Sequence, residues 1–163
     1  MSVRPATEAD AAAVAGIWNA VIEETLATFN SVPKTLDEVR ATIRTAPVFV
    51  VGRAGVDGFA TYGQFRGGVG YARTMEHTVH VAPAARGRGR GRALLAAVEA
   101  HAAARGAGVM IAGISGANPD GLRFHARLGY SPMAVLPEVG WKAGRWLDLH
   151  LMEKRLSSCG GAA

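Results

Sequence analysis

Between Ala85 and Leu95 the chain reads ARGRGRGRALL, with Arg86, Arg88, Arg90 and Arg92 alternating with Gly87, Gly89 and Gly91 before an apolar run begins. Arginine supplies charge for an anion, and glycine supplies backbone that bends around one without Cβ interference. The segment also opens a helical pattern. A helix N-terminus presents unpaired amides and roughly half a positive charge, so it attracts anions even without side chains. The combination suits a pyrophosphate. Two known phosphate loops do not fit. No Lys-Ser/Thr pair closes a Walker loop, and Arg92 stands where a dinucleotide fingerprint starting at Gly87 needs its last glycine.

Other constellations carry less chemistry. His77 and His80 fall on opposite faces of a strand, without a carboxylate or cysteine set at metal-ligand spacing, so no metal site is expected. Gly113-Ile114-Ser115-Gly116-Ala117 misses the Gly-x-Ser-x-Gly pattern of a nucleophile elbow. Lys142 and Arg145 sit in a turn between late strands and read as surface or dimer-edge charges. The single cysteine, Cys159, allows no disulfide within the chain.

Composition sets the frame for these residues. With 163 residues, 49% hydrophobic and 19% charged, the chain can bury one core. A net charge of +5 suits nucleic acid, a membrane surface or a small phosphorylated ligand. A nucleic-acid domain would add basic stripes with stacking aromatics, whereas the remaining charge is scattered and aromatics make up 7%. Glu8 and Asp10 interrupt the N-terminal region, and no apolar run approaches the roughly 20 residues of a membrane span. The expectation is a soluble, cytoplasmic protein with neither a nucleic-acid nor a membrane partner.

The positioning elements follow from caps and periodicity. SVRPAT reads as a first strand, and Thr7 with Asp10 forms a capping box for a helix from about Glu8, with Val14, Ile17, Trp18, Val21 and Ile22 on its inner face. Thr35 and Glu38 form a second box, with Leu36, Val39 and Ile43 facing inward. A hairpin follows from Val48 to Phe65, then a strand over TMEHTVHVAP. The helix that opens at the glycine loop buries Leu94, Leu95, Val98 and Ala102 and stops at Gly106. A strand VMIAGI, a helix NPDGLRFHARLG and two strands around MAVLPEV and RWLDLHLMEKRL complete one domain over residues 1–156, with a disordered tail at 157–163. This order gives an α/β fold with a mixed sheet.

The loop therefore reads Arg86-x-x-Gly89-x-Gly91 between a strand and a helix, with Arg88-x-x-Gly91-x-Ala93 as a second register. In this it resembles the GNAT superfamily, the GCN5-related N-acetyltransferases, whose Arg/Gln-x-x-Gly-x-Gly/Ala loop binds the pyrophosphate of acetyl-coenzyme A (acetyl-CoA). The resemblance runs from Val3 to Leu156 and is nearest the phosphinothricin and methionine-sulfoximine N-acetyltransferase branch, through EHTVHV, NPDGLRFHARLGY and LPEVGWKAGRWLDLHLM. It implies a GNAT fold, a mostly antiparallel sheet of about seven strands flanked by about four helices. It also implies a homodimeric enzyme that moves acetyl from acetyl-CoA to a small amino-acid-like amine, in a detoxifying role. Alternatives are another small amine, a protein N-terminus, or an acyl-CoA-binding module without catalysis.

Residue roles are carried over by resemblance. Glu76 matches the general base, which must take a proton because an ammonium has no free lone pair. Val79, His80 and Val81 match the strand that holds the pantetheine arm and offers amides to a developing oxyanion. Arg86, Gly87, Arg88, Gly89, Arg90 and Gly91 hold the pyrophosphate. Asn118 matches a cofactor-binding asparagine, or is a plain helix cap. His125 stands where many members have an acidic tyrosine, and reads either as the acid for the thiolate or as a buried hydrogen-bonded histidine, with Tyr130 as packing. Arg66 or Arg73 would hold a substrate carboxylate. The branch places its arginine at the position of Ala72, and a tryptophan at that of Phe65. Phe29 and Trp146 are aromatic candidates for the pocket or the core.

Overall fold

The computed structural model describes residues 2–156, so the expected disordered tail and Cys159 lie outside the described residues. The strand and helix runs become β1 (Ser2–Pro5), α1 (Ala11–Glu24), α2 (Leu36–Thr45), β2 (Val48–Gly52), β3 (Gly58–Gln64), β4 (Thr74–Val81), α3 (Arg90–Ala104), β5 (Val109–Ser115), α4 (Pro119–Arg127), β6 (Ser131–Lys142) and β7 (Arg145–Arg155). Both capping boxes form. Asp10 accepts from the Thr7 amide at 2.8 Å, and Glu38 from the Thr35 amide at 2.7 Å. The first box caps a short 3₁₀ turn at Glu8–Asp10 rather than α1 itself, so the helix starts three residues later than its cap suggests. The Asp10 carboxylate also takes both forks of Arg4 at 2.7 and 2.8 Å, which holds its pKa far below the usual carboxylate range.

The strands form one seven-stranded sheet in the order β1-β2-β3-β4-β5-β7-β6. Every neighbouring pair is antiparallel except β4 and β5. Alternation along β2 sends Phe49 and Val51 to one face and Val48 and Val50 to the other. One face carries α3, whose Leu94, Leu95, Val98 and Ala102 are fully buried against Tyr62, Met110, Ala112 and Ile114. The other carries α1 and α2, with Val14 and Val39 packed on Phe59. Each fully buried leucine contributes roughly 1.5–3 kcal/mol over its exposed state, so α3 and the loop at its N-terminus are firmly seated.

The parallel pair is where the sheet opens. β4 and β5 pair only over Thr74–Glu76 and Val109–Ile111. Beyond that point β4 continues with β3, and β5 with β7, leaving a gap between the two strands. Among the described residues no helix is long and apolar enough to cross a membrane.

Candidate active site

Strand parity decides what lines the gap. The register between β3 and β4 is unbroken from Gly58↔Val81 to Gln64↔Met75. The Thr74 carbonyl accepts from Phe65 on the β3 side, whereas the Arg73 carbonyl accepts from Gly108 and Val109, and the Val81 carbonyl from Arg86. Even-numbered residues of β4 therefore spend their main chain on β3, and Val79 and Val81 point theirs at the open edge. This corrects one expectation: His80 contributes its side chain, not its amide, to the gap. That side chain lies edge-on to Phe59, and burial, with Arg86 adding to it, pushes its pKa down to about 4.

The glycine loop meets the gap at one end. Gly87 and Gly89 have φ of 72° and 75°, left-handed values that favour glycine, and Gly89 is the N-cap of α3. A Cβ at either would meet open space, so the bend leaves room for an anion over the α3 amides. Gly91 differs, because a Cβ there would come within 3.0 Å of the Phe124 ring. Arg86, Gly87, Gly89, Gly91, Val79, Val81 and Asn118 all line a cavity of about 740 Å³ here. The arginines are not equivalent. Arg90 also lines this cavity, but its guanidinium is bound to Asp57 at 2.7 Å with its side chain 13% exposed, which ties the loop to the β2–β3 turn. Arg88 is exposed beside the cavity rather than in its wall.

A second cavity of about 430 Å³ continues from the gap on the α1 side, walled by Trp18, Phe29, Glu76, Thr78, His80 and Leu149. Glu76 is half-buried where β4 and β5 part, and burial raises its pKa. Its carboxylate lies over Gly113 of β5, where an added Cβ would come within 2.8 Å of Oε1. Mid-strand glycine is a known sign of close approach, and here it gives the carboxylate its place. Gly113→Ala is therefore expected to displace Glu76 and lower kcat about tenfold or more with little change in melting temperature, checked by steady-state kinetics and calorimetry.

The remaining polar residues separate by geometry. Asn118 spends Oδ1 on the Gly121 amide at 3.0 Å as the α4 cap, yet lines both cavities and keeps its amide nitrogen for a ligand. His125 is buried, and its Nδ1 donates to the Gly121 carbonyl at 2.7 Å. Its Nε2 is then an unpartnered acceptor, and burial lowers its pKa. This neutral tautomer has no proton to give the gap, contrary to the acid role. His77 stacks on it with ring centroids 5.1 Å apart, and burial pushes its pKa down to about 3. Tyr130 donates to Glu99 at 2.9 Å, and Glu99 in turn pairs with Lys154, so its hydroxyl is occupied in the core.

Three expectations place residues elsewhere than the structure does. Arg73 donates to the Gly106 carbonyl at 2.9 Å, and Arg66 lies over the Phe65 ring on the exposed glycine-rich loop. Neither lines either of these two cavities. Trp146 is 56% exposed and packs on Trp141 at the outer edge of the sheet. Lys142 is no surface charge: it is buried, donating to the carbonyls of Ile22 and Thr28. Among the described residues no group of three metal-ligating side chains comes together.

The arrangement is an anion cradle, an unpaired strand edge and a desolvated carboxylate in line, which suits acyl transfer to an amine. Comparisons with known proteins agree. Residues 16–130 match the Acetyltransferase (GNAT) family. An L-amino acid N-acyltransferase, MnaT, of Escherichia coli (strain K12) is 40% identical over 96% of this chain and 94% of its own. The L-methionine sulfoximine/L-methionine sulfone acetyltransferase of Salmonella typhimurium is 38% identical over 96% of this chain and 95% of its own. Among solved structures, the yncA acetyltransferase of Salmonella typhimurium with its cofactor acetyl-CoA superposes with a TM-score of 0.91 at 37% identity, over 100% of this chain and 98% of that one. The family match over most of the chain, the identity to curated relatives and the overall superposition agree: the chain belongs to the GNAT acetyltransferase family.

Proposed function

We propose that this protein acetylates the amine of a small amino-acid-like substrate, of the phosphinothricin, methionine sulfoximine or methionine sulfone type, with acetyl-CoA as donor and Glu76 as general base. One observation supports the reading: the half-buried Glu76 lines the cavity on the α1 side, which shares Val79, His80, Asn118 and His125 with the cavity at the glycine loop. The names of the relatives support the substrate class.

The residues present fit acetyl-CoA. Gly87 and Gly89 have open space where side chains would stand, and the β4 edge has unpaired amides beside it. When bound, acetyl-CoA supplies an acyl carbon activated as a thioester. The loop amides and Arg86 would hold the diphosphate, the main chain of Val79 and the amide of Val81 would pair with the pantetheine arm, and the Asn118 amide would add a donor. Glu76 takes the proton that the amine must lose, and its raised pKa makes it a stronger base than an exposed carboxylate. His125 positions the gap rather than supplying a proton. Phe29 and Trp18 give the amine's side chain an apolar wall.

The same reading includes a cytoplasmic homodimer that detoxifies amino-acid analogues. Exposed Met133, Val135, Val139 and Trp141 along the edge strand β6 support the dimer. A second copy is also where Arg66 and Arg73 could meet a substrate. Thiol release from acetyl-CoA tests the activity: with methionine sulfone, methionine sulfoximine or phosphinothricin it is expected to exceed the amine-free rate at least about tenfold. Binding of acetyl-CoA without amine-dependent thiol release from any amino acid would leave only a binding module.

A further inference from the structure

Lys142 and Gly140 lie at the end of the edge strand β6, far in sequence from the cavity, yet each touches a residue of its wall, Lys142 at Thr28 and Gly140 at Phe29. The pairing of β6 with β7 shifts between Leu136 and Gly140, where Glu138 takes a φ of 52° and its amide donates to Asp148 at 2.9 Å. After this irregularity Gly140 and Lys142 face inward and are buried, while Val139 and Trp141 face solvent. Gly140 lies under the Phe29 ring. A Cβ there would stand 2.5–2.6 Å from three ring atoms, closer than real Cβ atoms approach anything. Phe29 also lines the 430 Å³ cavity.

Lys142 fixes the segment that carries the ring. Its Nζ donates at 2.7 Å to Ile22 and at 2.9 Å to Thr28. Ile22 is in the last turn of α1, where unpaired carbonyls and the helix dipole favour a cation. Thr28 is next to Phe29. Among the described residues, this is the one hydrogen bond by which another element reaches residues 26–31; their other bonds, from Ala27 to Thr25, from Asn30 to Thr28 and from Val32 to Asn30, are local.

We propose that Gly140 and Lys142 are specificity-determining and positioning residues, which set the width of the amine pocket by holding Phe29 flat against β6. The proposal rests on the reading of the 430 Å³ cavity as the amine site. A methyl group at position 140 forces the ring away from the strand and into the cavity, so bulky amines lose more than small ones. Loss of the ammonium at 142 frees the segment, so amine binding weakens while acetyl-CoA, held on the other side of the gap, is unaffected.

The test compares the smallest and the bulkiest amino acids that the wild-type enzyme acetylates. Gly140→Ala is expected to lower kcat/KM for the bulkiest at least about tenfold more than for the smallest, with the KM for acetyl-CoA within about threefold of wild type. Phe29→Ala moves the ratio the other way, and the Gly140→Ala/Phe29→Ala double variant matches Phe29→Ala within about threefold. Lys142→Met raises the KM for amine about tenfold or more with kcat at saturating amine within about threefold, which loss of stability alone would not produce. Should Gly140→Ala fail to fold, Phe29→Ala and Lys142→Met carry the same contrast. Equal losses for all amines, or a double variant as impaired as Gly140→Ala, would overturn the proposal with the acetyltransferase reading intact. A wild-type enzyme that acetylates no amino acid would overturn that reading and this proposal together.

Discussion

Glu76→Gln is expected to cut turnover by about 10²-fold or more, while acetyl-CoA binds with an affinity within about threefold of wild type. The substitution keeps the shape of the side chain, so the space over Gly113 stays filled and β4 keeps its register. What it removes is the proposed proton acceptor. An amine attacking an acyl carbon must shed a proton, and Glu76 is the carboxylate in the wall of the 430 Å³ cavity. Burial raises its pKa, so the basic form is reached at higher pH than for an exposed glutamate. The wild-type profile of kcat/KM should therefore rise with pH through a limb displaced upward from the ordinary glutamate value of about 4.3, and that limb should vanish in the variant. The limb from ionisation of the amine itself, at higher pH, should survive in both. Unchanged turnover, or an unchanged acid limb, would remove Glu76 from the base role.

The second large effect is on the cofactor loop. Gly89→Val is expected to weaken acetyl-CoA binding about 30-fold or more, read by isothermal calorimetry, with a rise in the KM for acetyl-CoA of similar size. Two causes add. Gly89 has a φ of 75°, which a β-branched residue adopts at a cost of roughly 1–2 kcal/mol, so the bend relaxes toward another conformation. The Cβ and its methyl groups also enter the open space over the α3 amides. Arg90→Ala offers a contrast, because Arg90 is occupied by Asp57 and its loss acts through loop anchorage rather than through a phosphate contact.

Much of the fold was readable before any coordinates, and for physical reasons. Caps at Thr7 and Thr35, the apolar stripe of Leu94, Leu95 and Val98, and the stop at Gly106 are local signals, and the order of strands and helices follows them. Side-chain employment was not local. Four arginines in alternation look alike in sequence, but Arg90 alone meets Asp57, 33 positions away. Lys142 follows a tryptophan and precedes a turn, which suggests solvent, yet its partners are carbonyls 120 and 114 positions earlier. His125 matched a family position, but the carbonyl one turn back fixes which nitrogen carries its proton. Gly113 and Gly140 could have been flagged, since glycine inside a strand often marks a close approach, here of Glu76 and Phe29.

The most direct test is a crystal structure of the protein with acetyl-CoA. The diphosphate should lie within about 2.7–3.2 Å of main-chain amides between Gly87 and Arg92, with the thioester beside Val79 and on the Glu76 side of the gap between β4 and β5. A diphosphate bound away from the α3 N-terminus, or a thioester out of reach of Glu76, would contradict the proposed site.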